Sequence, residues 1–515
     1  MPEGTSEHAV AVMADRPVGE RRMAWVAVVG FGFLIMTYYV LKPIRESLAI
    51  ELGSQTIPAL NILSMLSLIG GNALYTWIVG RFRPERFIPG ITWVFVVCLL
   101  GFWGGFQVIS LHRAGGESRM EKASSSLPAA VPAVASAEAG GAGGRLEGEA
   151  ASAGRSEARL ASPTVREAVE VMRLEEGGRP AARAEPAPVM PGSGRLVTWA
   201  GVVMIAGYFV WVNLFALFSI SMFWSYVNDV FTTAQGKRLY GMIGYGGLVG
   251  GLAGGLLTAW LASAVGTTHL LLVAAALLMP TAWLPAWLPR PRDEDGTTVA
   301  HSRPAEPRPW DGLTCTFRSS LLLLLALEMF CYTFASSLFS YQVNALVEET
   351  LPSRDLRTVY WANLYNAING VSLLTQFTLT WGFMRLTVPV WGLLVLPVSQ
   401  ILGSLWLSTE ASLVVAATVV VFRYATNYST GRALRELMFT LVTREEKYQG
   451  KGFIDTLVFR AGDGLASGFL LWGLHGYGPG GWIDATIIGV MAVSAGAIVA
   501  LAIRFKASLQ VSAAE

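Results

Sequence analysis

The run YYVLKPIRESL places Lys42, Arg45 and Glu46 directly behind nineteen residues, MAWVAVVGFGFLIMTYYVL, whose composition suits lipid. Ions at that depth are costly unless they line water, meet each other or bind something. Spacings of three and four residues put all three on one helical face, with Ile44, Leu48 and Leu52 pointing elsewhere. An Arg/Lys face beside Tyr38 and Tyr39 suits an anion that carries an aromatic ring. Guanidinium offers bidentate contact to phosphate or carboxylate, and tyrosine offers stacking. The alternative is snorkelling, with the charged ends reaching the membrane interface. Pro43 is expected to bend the helix at this point.

Further ions recur deep in apolar runs. Glu328 lies about ten residues from one end of the seventh run and Arg423 about twelve from one end of the tenth, which places both near a membrane midplane. The segment KGFIDTLVFRAGDGLASG (451–468) adds Asp455 one turn in, with Arg460 and Asp463 deeper. These ions are expected to meet around a polar cavity. The alternative is that Arg423 pairs with Glu328, and Arg460 with Asp463, only to hold helices together. Asn363, Asn366 and Asn369, with Gln376 beyond them, form one polar stripe that serves either as helix glue or as cavity lining.

The elements that must position these residues follow from composition. Of 515 residues, 53% are hydrophobic and 14% charged, far from the roughly one-quarter charge of soluble chains. Mean hydropathy is +0.48. The chain therefore reads as an all-α polytopic membrane protein. Runs long enough to cross a bilayer fall at 23–48, 56–79, 87–111, 197–228, 239–263 and 268–289, then at 318–347, 358–384, 387–407, 411–440, 452–474 and 482–503. These twelve spans make two six-helix bundles (23–289 and 318–505), joined by a polar, Pro-rich linker at 290–317, with tails at 1–22 and 506–515. Lys and Arg cluster at one side, for example Arg81, Arg83 and Arg86, then Lys237 and Arg238, then Arg444, Lys447 and Lys451. That side should be cytoplasmic and hold both termini in an inner-membrane protein. The loop around Arg354 and Arg357 is the exception. Residues 112–195 lack Phe, Trp and Tyr and are expected to be a disordered outer insert, with a short helix plausible at 162–176.

The fifth span holds Gly246, Gly250 and Gly254 beside Gly247, Gly251 and Gly255, a spacing that lets helix backbones approach closely. Neither a dinucleotide fingerprint nor a phosphate loop is present. Cys98, Cys315 and Cys331 lack ligand spacing and read as packing thiols. With no nucleophile–base pair or metal cluster, an enzyme is disfavoured, and no cofactor is expected. Net charge of +2, sorted by membrane side, gives no footprint for nucleic acid. The expected partners are a small organic anion and membrane lipid, and a monomer suffices.

YYVLKPIRESL, FWSYVNDVF followed by QGKRLYGMIGYGG (223–247), and REEKYQGKGFIDTLVFRAGDG (444–464) together resemble the non-mitochondrial ATP/ADP translocases, the nucleotide transporters of plastids and intracellular parasites. The resemblance spans nearly all twelve helices and fails in the 112–195 insert. It implies a major facilitator-like fold with a midplane site, and exchange of ATP for ADP or proton-linked nucleotide uptake by alternating access. Lys42 and Arg45 would contact phosphate, Glu46 would set their geometry, and Tyr39, Arg423, Arg460 and Asp463 would complete the substrate set. Asn228, Asp229, Lys237 and Arg238 would form a cytoplasmic gate, with Glu328 and Asp455 assigned to coupling. Nucleotide exchangers of the family carry a lysine near the position of Asp463, preceded by a Pro-containing turn where this chain has Arg460. Replacing a cation by an anion is unfavourable for a tri- or tetra-anion, although Arg460 could supply the charge from one turn away. Two alternatives stand beside nucleotide exchange. One is a proton-coupled carrier of another organic anion, with Asp463 or Glu328 as the proton site. The other is a non-transporting receptor or scaffold that uses the insert as a tether.

Overall fold

The computed structural model describes residues 18–125, 193–289, 309–380, 382 and 389–504. The first half comprises α1 (Val18–Ile50), α2 (Ile57–Arg81), α3 (Pro84–Ser125), α4 (Ser193–Val230), α5 (Thr233–Val265) and α6 (Leu270–Leu278), which a tight turn at Met279–Trp283 joins to α7 (Leu284–Trp287). The second half begins with a short helix, α8 (Pro309–Arg318), within the expected linker. It continues with α9 (Ser320–Thr350), α10 (Arg354–Thr375), α11 (Val395–Thr409), α12 (Leu413–Thr426), α13 (Arg432–Met438), α14 (Arg444–Phe453), α15 (Phe459–Tyr477) and α16 (Trp482–Arg504). No strand occurs among the described residues.

Nine of these helical segments are long and apolar enough to cross a membrane. The other three expected spans, 358–384, 411–440 and 452–474, are also helical over their described residues. They are the ones that carry the amide stripe, Arg423, and the Asp455–Arg460–Asp463 set, and their polarity keeps them below the same threshold. Each contains one π-helical turn: Gln376–Thr380, Asn427–Gly431 and Ile454–Val458. Such single turns insert a residue into the helical repeat and recur at functional sites.

Contacts divide the chain into a main unit, Met1–Leu111 with Trp199–Glu515, and a second unit, His112–Thr198. The second unit is helical at both described ends, because α3 continues to Ser125 rather than stopping near 111. Its Glu, Arg, Met, Lys and Ala residues there are good helix formers. The rest of the expected insert, including 162–176, lies outside the described residues.

Within the main unit, α1 is continuous through Pro43. The glycines of α5 explain how closely α1 and α5 approach. A Cβ on Gly246, Gly250 or Gly254 would fall inside contact distance of the α1 backbone at Val28, Gly32 and Met36 respectively. The second glycine row faces Phe31 from Gly247, Tyr39 and Asn369 from Gly251, and Asn366 from Gly255. The asparagine stripe is thus helix glue between the halves at Asn366 and Asn369, whereas Asn363 and Gln376 are exposed.

One hydrophobic core crosses the halves, with Ile50, Ile57 and Phe209 packed among Leu338, Val347 and Trp361. It lies toward the end of the molecule that holds the turns at 51–56, 266–269 and 351–353, here termed the distal end. Gly53 and Gly266 adopt positive φ of 88° and 83° at two of these turns, a conformation that side-chain-bearing residues rarely take.

Candidate functional site

A cavity of about 310 Å³ lies between the halves, within the size range of small-molecule sites. Its first-half wall includes Arg45 and Glu46 of α1, Asn61 and Ser64 of α2, and Asn213 of α4. On the opposite side α9 presents Ser336, Ser337, Ser340 and Asn344, which share one helical face. The π-turn after α12 adds Asn427 and Tyr428 beside Tyr424, and α15 adds Arg460 and Asp463.

On α1 the charges are engaged. Arg45 donates Nη2 to Glu46 Oε1 and Nη1 to Asn213 Oδ1 at 2.7 Å. Asn213 is itself held by donating to Ser64 Oγ at 3.1 Å. Tyr365 of the second half donates its hydroxyl to Glu46 Oε1 at 3.2 Å. Lys42 does not reach the cavity wall. Its Nζ sits 3.8 Å from the Tyr365 ring centroid, a cation–π arrangement. Tyr39 likewise turns to the other half and donates to Asn369 Oδ1 at 3.0 Å.

On α15 the charges are not engaged in the same way. Asp463 Oδ1 accepts from Ser337 Oγ at 2.7 Å. The Arg460 guanidinium lies 5.8 Å from the Phe459 ring centroid. Neither residue makes an ion pair with a described residue, so the Arg460–Asp463 pair of the alternative reading is not formed. The Arg423–Glu328 pair of that reading is not formed either. Glu328, 2% exposed, pairs with Arg435 at 3.4 Å, and Arg435 donates to Asn427 Oδ1 at 2.9 Å.

The reason is register. Residues 328 and 336 of α9 are about 12 Å apart along the helix, and the antiparallel partner brings Arg435 to Glu328 but Arg423 to Ser336. Arg423 is 1% exposed. It donates Nη1 to Ser336 Oγ, lies 4.3 Å from the Tyr424 ring centroid, and leaves Nε and Nη2 without a hydrogen-bond partner. Of the four ions expected at one depth, Arg460 and Asp463 reach the cavity, whereas Glu328 and Arg423 do not line it, and neither does the shallower Asp455. The residues assigned to a gate, Asn228, Asp229, Lys237 and Arg238, sit around the α4–α5 turn, away from the wall. Arg238 pairs with Glu20 of α1 at 3.4 Å.

The distal end closes over the cavity through contacts between the halves. Arg354 holds Glu51 with two donors, one of them Nη2 to Oε2 at 2.9 Å. It also donates Nη1 to Thr268 Oγ1 at 3.2 Å, and its carbonyl accepts from Ser47 Oγ at 2.8 Å. The Ser54 backbone N–H donates to Glu348 at 2.7 Å, and Asp355 accepts from the Thr267 backbone N–H at 2.7 Å. Arg357 donates to the carbonyls of Leu351 and Glu348, which end α9.

Several of these residues escaped the sequence reading. Arg435, Glu51 and Glu348 lie near span ends, where charge is unremarkable. The α9 serine row was legible as a face of small polar residues in an apolar span, and the exceptional charges at Arg354 and Arg357 were the visible sign of the distal contacts.

No protein-family model matches the chain, and no curated protein matches it. Among solved structures, it is similar to the crystal structure of a bacterial homolog to the human lysosomal transporter Spinster, in an inward-facing and unoccupied conformation. That similarity covers 97% of this chain and 98% of that one, at 12% identity and a TM-score of 0.49.

Proposed function

We propose that this protein is a secondary transporter that carries a small organic anion through the cavity between its halves by alternating access. The observation that carries this reading is one polar, ion-lined cavity walled by both halves and covered at its distal end by contacts between them. A carrier needs such a site, together with covering contacts that can break. The Lys and Arg residues around the Val18 end support a cytoplasmic position for that end in the bacterial type of inner membrane. The test is side-selective labelling in proteoliposomes. In a background free of Cys98, Cys315 and Cys331, Ser340→Cys should react with an impermeant thiol reagent from the proximal side. Charge reversal at Arg354 should add labelling from the distal side. Absence of labelling from both sides in both proteins would remove the reading.

ATP/ADP exchange is a second, finer reading. It is supported by the Arg45 and Arg460 guanidinium groups and the Tyr424 and Tyr428 rings lining the same cavity. Labelled ATP and ADP should enter proteoliposomes preloaded with nucleotide and not those loaded with buffer. If neither label enters under any preload, even with an imposed proton gradient, nucleotide exchange is removed.

A further inference from the structure

Charge around the cavity defines a narrower solute class, an inference that rests on the solute-site reading above. The wall itself carries Arg45 and Arg460 against Glu46 and Asp463. Two more basic side chains stand behind it. Lys42 lies over Tyr365, whose hydroxyl bonds the wall residue Glu46. Arg423 bonds the wall residue Ser336 and lies over the wall residue Tyr424. Neither makes an ion pair with a described residue. Two further second-half pairs cancel locally, Glu328 with Arg435 and Glu436 with Lys451. With Lys42 protonated, four cations face two carboxylates, a surplus of two positive charges in a region of low polarity.

An uncompensated buried charge is strongly unfavourable. Arg45 Nε and the Nε and Nη2 of Arg423 are buried donors without partners, so the surplus is also unmet at the level of hydrogen bonds. We propose that the solute is an organic dianion, carrying either one phosphate monoester or two carboxylates. A tri- or tetra-anion would exceed the surplus and be repelled by Asp463 and Glu46, so a dianionic solute builds on the organic-anion reading and stands against ATP/ADP exchange. A neutral solute would leave the surplus unopposed.

Two series matched in body and graded in charge test this on the purified full-length protein by titration calorimetry without divalent metal. One is adenosine, AMP, ADP and ATP, in which AMP carries a charge of about two. The other is succinamide, succinamate, succinate and tricarballylate. Affinity should peak at AMP, at succinate or at both, by about tenfold over the neighbours in charge, and the arm that responds identifies the anionic group.

Two variants move the peak in opposite directions. Asp463→Asn should shift it one charge more negative, to ADP or tricarballylate, and Arg460→Gln should shift it to the monoanion succinamate. A purely structural role would lower affinity across a series without moving its peak. Tightest binding at any other charge in the unmodified protein overturns the proposal and leaves the solute site standing. So does a peak that stays in place in both variants while their melting is normal. If no member of either series binds, the proposal also fails, and the Ser340→Cys labelling separately decides the fate of the solute site.

Discussion

The charged stretch of α1 and that of α15 face one cavity and are built from the same residue types, yet they are held in opposite ways. Arg45 and Glu46 pair with each other, with Asn213 fixing the guanidinium and Tyr365 reaching across from the other half. Arg460 and Asp463 stand three residues apart without pairing, and among the described residues Ser337 alone donates to the carboxylate. An ion whose partners are all protein groups contributes to the shape of the site, whereas an ion left with open valences is available to a guest. Sequence spacing points the other way, since residues three apart on a helix can meet and adjacent ones point apart. The neighbours on α4 and α10 decide the outcome.

The largest effect should come from breaking the ion-paired side. Glu46→Ala leaves Arg45 buried without its counter-ion, and both side chains are only 12% exposed. Loss of about 3–5 kcal/mol of stability is expected, read as unfolding of the purified protein in detergent. Asp463→Ala strands no described cation from an ion pair and should cost far less. Equal losses in the two variants would erase the distinction between α1 and α15.

The next effect probes the packing that presents α1 to the cavity. Gly250→Ala places a methyl group against the Gly32 carbonyl, while Gly244→Ala meets nothing within 4 Å. The first should lose about 1–3 kcal/mol by overpacking, and the second should be close to neutral. A neutral Gly250→Ala would show that the two helices separate without consequence for the α1 site.

These cases also mark what the sequence could reveal. Nine of the expected spans were readable because lipid demands long apolar runs, and the glycine rows because close helix contact demands missing side chains. Which ions would pair was not readable. Glu328 and Arg423 share a nominal depth, but the register of antiparallel helices sends Glu328 to Arg435 and Arg423 to Ser336. Depth counted from span ends is uncertain by a turn or more, and a turn is enough to change partners. The π-turn at Asn427–Gly431 adds a further offset that no apolar periodicity records. Spacing put Lys42 on the face of Arg45, but its neighbour is an aromatic ring from α10, a contact that only tertiary structure supplies.

A moderate effect separates both charged stretches from the distal contacts above them. Glu51 and Arg354 are partly exposed, at 20% and 29%, so each single charge reversal should cost about 1–2 kcal/mol in the distally covered state. The exchanged pair Glu51→Arg with Arg354→Glu should recover much of that loss, as a double-mutant cycle reports. Distal labelling of Ser340→Cys should rise in each single variant and fall again in the exchanged pair. Failure of the exchange to restore protection would assign the covering to Glu348 and Asp355 instead.

The smallest effect is the most discriminating for the open side of the site. Ser337→Ala removes the one side-chain donor to Asp463, and water in the cavity can replace it, so a stability change within about 0.5–1.5 kcal/mol is expected. The same deletion on the ion-paired side, Asn213→Ala, frees Arg45 Nη1 in a closer setting and should exceed it. If Ser337→Ala proves the costlier change, Asp463 is a structural carboxylate locked to α9. The charges facing the solute would then reside on α1, and the roles assigned to the two helices would be reversed.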